Sequence, residues 1–184
     1  MRHPRISLAS ILCVLALSSC GGSSGPAEVS PAAYVKSICA SLSTWKGAIQ
    51  SASGQLQAGT RAAKSLAQGK QQYITFLEAL VQATGTSATG LKAAGVPNVS
   101  GGKQISTMLA QAFTHAASSL STAVSQAKNI PTTSSAAYQA AGAGVNATVR
   151  QSLSGLASIS PRRNAQLKAA AAKEPACKVL TAVA

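Results

Sequence analysis

The 184-residue chain carries 16 Lys plus Arg against 3 acidic residues, a formal charge of +13, yet only 10% of its residues are charged, where about 25% is usual. It is acid-poor rather than base-rich: beyond residue 30 its cations stand singly from Lys36 to Lys178, Arg162-Arg163 being the adjacent pair, and no RNA-binding aromatic motif accompanies them. This distribution argues against nucleic acid as a partner and leaves a weak, salt-sensitive attraction to anionic headgroups or envelope polymers.

The amino terminus has the layout of an export signal. Arg2, His3 and Arg5 are basic, and Ile6 to Leu17 is an uncharged, mostly apolar run. The run is short of the roughly 20 residues a membrane span needs. Its end, Leu17-Ser18-Ser19-Cys20, resembles the lipobox of bacterial lipoproteins: a branched aliphatic residue, two small ones, then cysteine. The resemblance implies cleavage after residue 19 and acylation of Cys20, whose thiol is the nucleophile that chemistry needs. Residues 1–19 are then a lipoprotein signal peptide and residues 20–30, beginning Gly21-Gly22-Ser23-Ser24-Gly25, a flexible tether. Two or more acyl chains would hold the mature chain firmly at the cell membrane, on its extracytoplasmic face. The other reading is ordinary cleavage nearby with Cys20 incidental.

Residues 31–184 are expected to form one helical domain. Ser30-Pro31 is a start signal, a capping hydroxyl followed by proline at the first helical position. Tyr34, Ile38, Leu42, Trp45, Ile49, Ala52 and Leu56 then line one face of a helix over 31–57, and Gly59-Thr60 is expected to end it. A second helix over 61–94 carries Leu66, Tyr73, Leu77, Leu80, Thr84, Ser87 and Leu91, with Gly69, Gly85 and Gly90 weakening its ends. Pro97 and its flanking glycines break the pattern. The third helix, 103–128, presents Leu109, Phe113, Ala116, Leu120, Val124 and Ala127. After Pro131 the fourth, 135–159, presents Tyr138, Ala141, Val145, Val149, Leu153, Leu156 and Ile159. Ser160-Pro161 opens a short fifth helix, 161–173, which Pro175 closes. No alternating strand pattern of useful length occurs.

Long helices joined by short connections predict an all-α, antiparallel up-and-down four-helix bundle with a short fifth helix. Residues 20–184 include 36 alanines, so the helices should approach closely around a thin core in which six aromatics supply the bulk. With Cys13 in the leader and Cys20 committed to lipid, Cys39 and Cys177 remain. In an oxidising space they most simply form one disulfide stapling the last segment to the first helix, and two buried free thiols are the alternative.

Cys20 with its small-residue tether, "ICASLSTW" around Cys39, alanine-rich helices and a closing "KEPACKVL" together resemble the small helical lipoproteins and secreted proteins of high-GC Gram-positive bacteria. That resemblance implies the bundle and a Cys39–Cys177 bridge. It implies no activity.

Residues for catalysis are scarce. Beyond the leader there are Glu28, Glu78, Glu174 and His115, and no aspartate. Only Glu78 and His115 could meet within a bundle, and both flank the apolar stripes, which reads as a surface pair. A triad lacks its acid and its nucleophile elbow, and no phosphate or dinucleotide loop is present. One histidine without aspartate argues against a metal site, and no cofactor is expected. Arg162-Arg163 in a helix's first turn opposes the dipole. It reads as a solvated turn, or else as an anion contact. The expected function is a non-catalytic, membrane-anchored module for cell-envelope structure or for binding an envelope protein or anionic polymer. The alternative is a carrier with a small apolar ligand in the bundle core.

Overall fold

The computed structural model describes residues 26–157 and 164–181. The leader, Cys20, the glycine-serine start of the tether and Arg162-Arg163 lie outside them. The described chain runs β1 (Glu28–Val29), α1 (Pro31–Ala62), α2 (Leu66–Ala93), β2 (Val96–Pro97), α3 (Gly102–Lys128), α4 (Ser135–Ala157), α5 (Ala165–Lys173) and α6 (Pro175–Thr181). The architecture is the expected all-α bundle with a stapled carboxyl-terminal segment, and the differences lie at its joints.

α1 begins as expected, with the Ser30 hydroxyl accepting from the Ala33 N–H at 3.2 Å and Pro31 in the first turn. It does not stop at Gly59-Thr60. The Thr60 hydroxyl bonds back to the carbonyls of Leu56 and Gln57, so that residue satisfies the helix instead of breaking it. The true joint is Ala63 to Ser65, which moves the second helix's start from 61 to Leu66. There Ser65 accepts from the Gln68 N–H while Gln68 Oε1 accepts from the Lys64 N–H, a close variant of the reciprocal capping box.

α2 then runs unbroken through its glycines. At Gly90 the helix approaches α1 so closely that a Cβ would lie 2.7 Å from Ser41 Oγ. Since Ser41 is early in α1 and Gly90 late in α2, the two helices are antiparallel. The Lys70 ammonium on the Ile130 carbonyl ties early α2 to the end of α3, and Thr148 on Gln126 ties α4 to late α3. α1 packs on α2, α2 on α3, α3 on α4, and α5 and α6 fold back on α1.

The carboxyl-terminal segment corrects a further expectation. Pro175 does not merely close the fifth helix; it opens α6, with Glu174 Oε1 accepting from the Ala176 N–H, because proline suits a first helical position as well as a stop. α5 is capped by Asn164, whose Oδ1 accepts from the Gln166 and Leu167 N–H groups and whose amide donates to the Ser100 carbonyl. The predicted start at 161 falls outside the described residues. Cys39 and Cys177 are bonded, with Cα atoms 5.0 Å apart across 138 positions.

β1 and β2 form a two-stranded parallel ladder. The Val96 N–H donates to the Ala27 carbonyl at 3.0 Å and the Asn98 N–H to that of Val29 at 2.9 Å. The last residues of the segment read as tether are thus held against the α2–α3 connection. That connection turns through Gly95 at φ 80° and Gly101 at φ 73°, left-handed conformations that glycine adopts without strain.

Two buried clusters fill the interior. One surrounds the disulfide, with Tyr34, Ile38, Leu91, Leu109, Phe113 and Leu167. The other, centred on Leu77, Leu80, Leu120, Ile130 and Val145, joins α2, α3 and α4. Trp45 packs against the first of them: its indole N–H donates to Thr84 Oγ1 at 3.1 Å, and its ring meets Phe113 edge-on at 5.4 Å. The predicted α3 stripe is buried throughout, whereas on α4 Val145 is buried and Tyr138, Ala141, Val149, Leu153 and Leu156 are half-covered. α4 therefore leans on α3 with part of its apolar face still near solvent.

Candidate functional site: a neutral polar groove between α3 and α4

Because α4 is incompletely covered, it leaves a surface groove of about 550 Å³ beside α3. α3 contributes Gln111, His115, Ser119 and Thr122, and α4 contributes Thr148, Gln151, Ser152 and Gly155, with Ala112 and Ala116 as the floor. On both helices these positions recur at three- and four-residue steps, so each set forms one face.

The polar groups are partly committed. The His115 Nδ1 lies 3.3 Å from Ser119 Oγ. The Thr148 hydroxyl bonds Gln126 Oε1 at 3.0 Å and the Gly144 carbonyl at 3.3 Å, and Ser152 donates to the Thr148 carbonyl at 2.7 Å. Gln111 and Gln151 stand exposed at the rims. None of the lining residues is a carboxylate, a lysine or an arginine.

Glu78 and His115 are not brought together. Glu78 pairs with Lys128 at 3.4 Å, both side chains more than half exposed, while His115 lies 13 positions earlier on α3, about 20 Å along the axis. A Ser119–His115 pair without a carboxylate to orient the imidazole lacks the third member of a nucleophilic relay. The backbone N–H groups around Ser119 are spent in the helix, which leaves no backbone donors there for an oxyanion. Among the described residues no group of three or more His, Cys, Asp or Glu is placed to hold a metal. What the groove offers is hydrogen bonding from hydroxyls, amides and one imidazole over an alanine floor.

Two further grooves open on the surface. One of about 330 Å³ between α1 and α2 exposes part of Trp45 among Thr44, Ser51, Gln55 and Gln82. The other, of about 620 Å³, lies beside β2 and the start of α3. Two phenols among the described residues have shifted titrations. Burial pushes the Tyr34 hydroxyl up to about 12, and this hydroxyl is buried without a hydrogen-bond partner. Tyr73 is raised by burial and then by neighbouring Tyr138, while its hydroxyl donates to Asn146 Oδ1 at 2.7 Å.

Of the predicted site residues, Cys39 and Cys177 meet, and Cys20, Arg162 and Arg163 lie outside the described residues. The α3–α4 groove was missed. Its serines, threonines and glutamines are what any solvated helix face carries, and only the docking of α4 turns them into a cleft. No protein-family model, curated protein or solved structure matches the chain. Among the described residues no helix is long and apolar enough to cross a membrane.

Proposed function

We propose that the chain is an exported lipoprotein, held at the extracytoplasmic face of the cell membrane through acylated Cys20, and that it acts as a non-catalytic helical module binding an envelope protein or polymer. The observation that carries the reading is the Cys39–Cys177 bond: such a bond persists in oxidising compartments and is rare where thiols are kept reduced, and it accompanies a leader ending in the lipobox-like Leu17-Ser18-Ser19-Cys20. The α3–α4 groove supports the binding role. Its neutral hydroxyls and amides suit a hydroxyl- or amide-rich surface, and its single titratable side chain, His115, is poorly equipped for acid–base work.

The amino-terminal peptide of the membrane-bound protein tests the anchor. Its mass is expected to show Cys20 as the first residue carrying acyl groups, and the Cys20→Ala chain should leave the membrane pellet. An intact leader or an unmodified Cys20 in the purified protein refutes the anchor. Photo-crosslinking residues placed at Gln151 and at Gln71, exposed on α2, test the groove. Equal capture from both positions refutes the groove as the binding face.

A further inference from the structure

The end of the bundle that carries β1 and β2 differs from the rest of the surface. Met108 on α3 is the exposed large hydrophobic side chain among the described residues, at 48% exposure. It lines the 620 Å³ groove with Val96, Pro97 and Val99, and Glu28, Asn98, Lys103, Gln104 and Thr107 supply the groove's polar lining. The antiparallel packing sets the first turns of α1, the last turn of α2 and the first turn of α3 at this same end. Exposed Lys36, Lys92 and Lys103 therefore gather there. Asn164 on the Ser100 carbonyl brings the start of α5 to it as well, adding exposed Lys168. Against these four cations stands Glu28, and Glu174 is turned to the Ala176 N–H of α6.

The chain also enters here. Glu28 lies eight positions after Cys20, a span of at most about 29 Å. An end placed that near a membrane, positively charged and bearing a groove lined in part by apolar side chains, has the two properties that make a protein surface bind an anionic bilayer: apolar area that enters the boundary between headgroups and acyl chains, and lysines that meet the phosphates.

We infer that this end of the bundle is a membrane-docking surface, with Met108 and the valines of the β2–α3 groove entering an anionic leaflet while Lys36, Lys92, Lys103 and Lys168 hold its headgroups. The orientation rests on the proposed anchoring at Cys20, but the surface acts without the lipid and is testable without it. It would lay the bundle end-on against the leaflet and leave the α3–α4 groove on the flank, open to a partner.

Every described member of both buried clusters lies after residue 28, so the chain from residue 26 keeps the described core and binds through the protein surface alone. Sedimentation of this chain with vesicles of equal phosphatidylglycerol and phosphatidylcholine, and with phosphatidylcholine alone, reads the affinity. Binding is expected to the anionic vesicles and to weaken about fivefold for each of the four lysines changed to glutamine. Met108→Ser should weaken it several-fold further, and Arg61→Gln with Lys64→Gln, at the far end of α1, should leave it unchanged. No binding to anionic vesicles overturns the inference. Equal losses from the two ends would show diffuse attraction, insensitivity to Met108→Ser would show adsorption without insertion, and full competition by soluble polyglutamate would show that any polyanion serves; each overturns it. An unacylated Cys20 in cells would refute the anchor and leave this vesicle result standing.

Discussion

Breaking the Cys39–Cys177 bond should loosen the whole molecule and free its last segment first. The bond closes a loop of 138 positions. Cross-linking so long a loop removes about 5 kcal/mol of conformational entropy from the unfolded chain, against a total stability of about 5 to 15 kcal/mol for a domain. At this size 1 kcal/mol moves the melting temperature by about 2–4 °C, so the Cys39→Ala, Cys177→Ala double variant should melt about 10–20 °C lower by far-ultraviolet circular dichroism. Strain in the native state would make the loss smaller. The segment beyond residue 164 holds to α1 through Leu167, Cys177 and half-buried Ala170, Ala171, Ala176 and Leu180. Without the bond, trypsin should therefore cut at Lys168 and Lys173 before sites in α2 or α3. Both cysteines are 8% exposed, so reduction of the wild type is expected to need denaturant, after which it should match the double variant. A melting temperature within about 3 °C of wild type, with unchanged cleavage, would refute the reasoning.

Thr84→Val keeps the shape of a residue that is 0% exposed but strands the Trp45 indole N–H; a loss of about 1–3 kcal/mol is expected in urea unfolding followed by the fluorescence of that single tryptophan. Gly102→Ala would drive a Cβ into the Pro97 carbonyl oxygen, whereas Gly54 in α1 has open space around it. Gly102→Ala should therefore destabilise by about 2 kcal/mol or more, and Gly54→Ala should stabilise by about 0.5–1 kcal/mol; both are read from thermal midpoints. Tyr34 buries a hydroxyl with no partner, so Tyr34→Phe should be neutral or stabilising at pH 7. Because the folded phenol ionises near 12 rather than 10.0, its contribution is complete below pH 10 and lost as pH rises towards 12. Urea midpoints at pH 7, 10 and 11 should show wild type falling further behind the phenylalanine variant, and a cost above about 1 kcal/mol at pH 7 would contradict this account.

The parts of the fold legible in the sequence are those where large side chains recur at the helical period. Leu77, Leu80, Leu91, Leu109, Phe113 and Leu120 are buried as that period predicts. The α1–α2 joint was misplaced because Gly59-Thr60 carries a breaker's composition, while the decisive signal, Ser65 with Gln68 three residues on, is a matter of capping rather than of hydrophobicity. α6 was missed because a proline is read equally as a stop or a start. The β1–β2 pair is two residues a side, too short to leave an alternating pattern. The disulfide was legible as the simpler of two expectations for Cys39 and Cys177, the cysteines left once Cys13 and Cys20 are given to the proposed leader and anchor. The α3–α4 groove was not, since nothing local distinguishes Gln151 or Ser119 from any other exposed helix residue.

These unequal joints give the molecule a direction. At one end the disulfide ties α6 to α1, the strand pair ties the entry to α1 to the α2–α3 connection, and the Asn164–Ser100 bond ties the start of α5 to that connection. The first of these is covalent and the second a backbone ladder; the third is a side-chain amide on a backbone carbonyl. α4 enters the second cluster through buried Val145, with half-covered Val149 and Leu153 beside it, and its polar face makes single bonds such as Thr148 to Gln126. Local opening follows the burial and bonding that must be undone, so α4 is expected to part from α3 more readily than α2 does, whose Leu77 and Leu80 are fully buried in the same cluster. In the proposed binding role the α4 wall of the groove would therefore yield before the α3 wall, at the expense of the Tyr73–Asn146 and Thr148–Gln126 bonds.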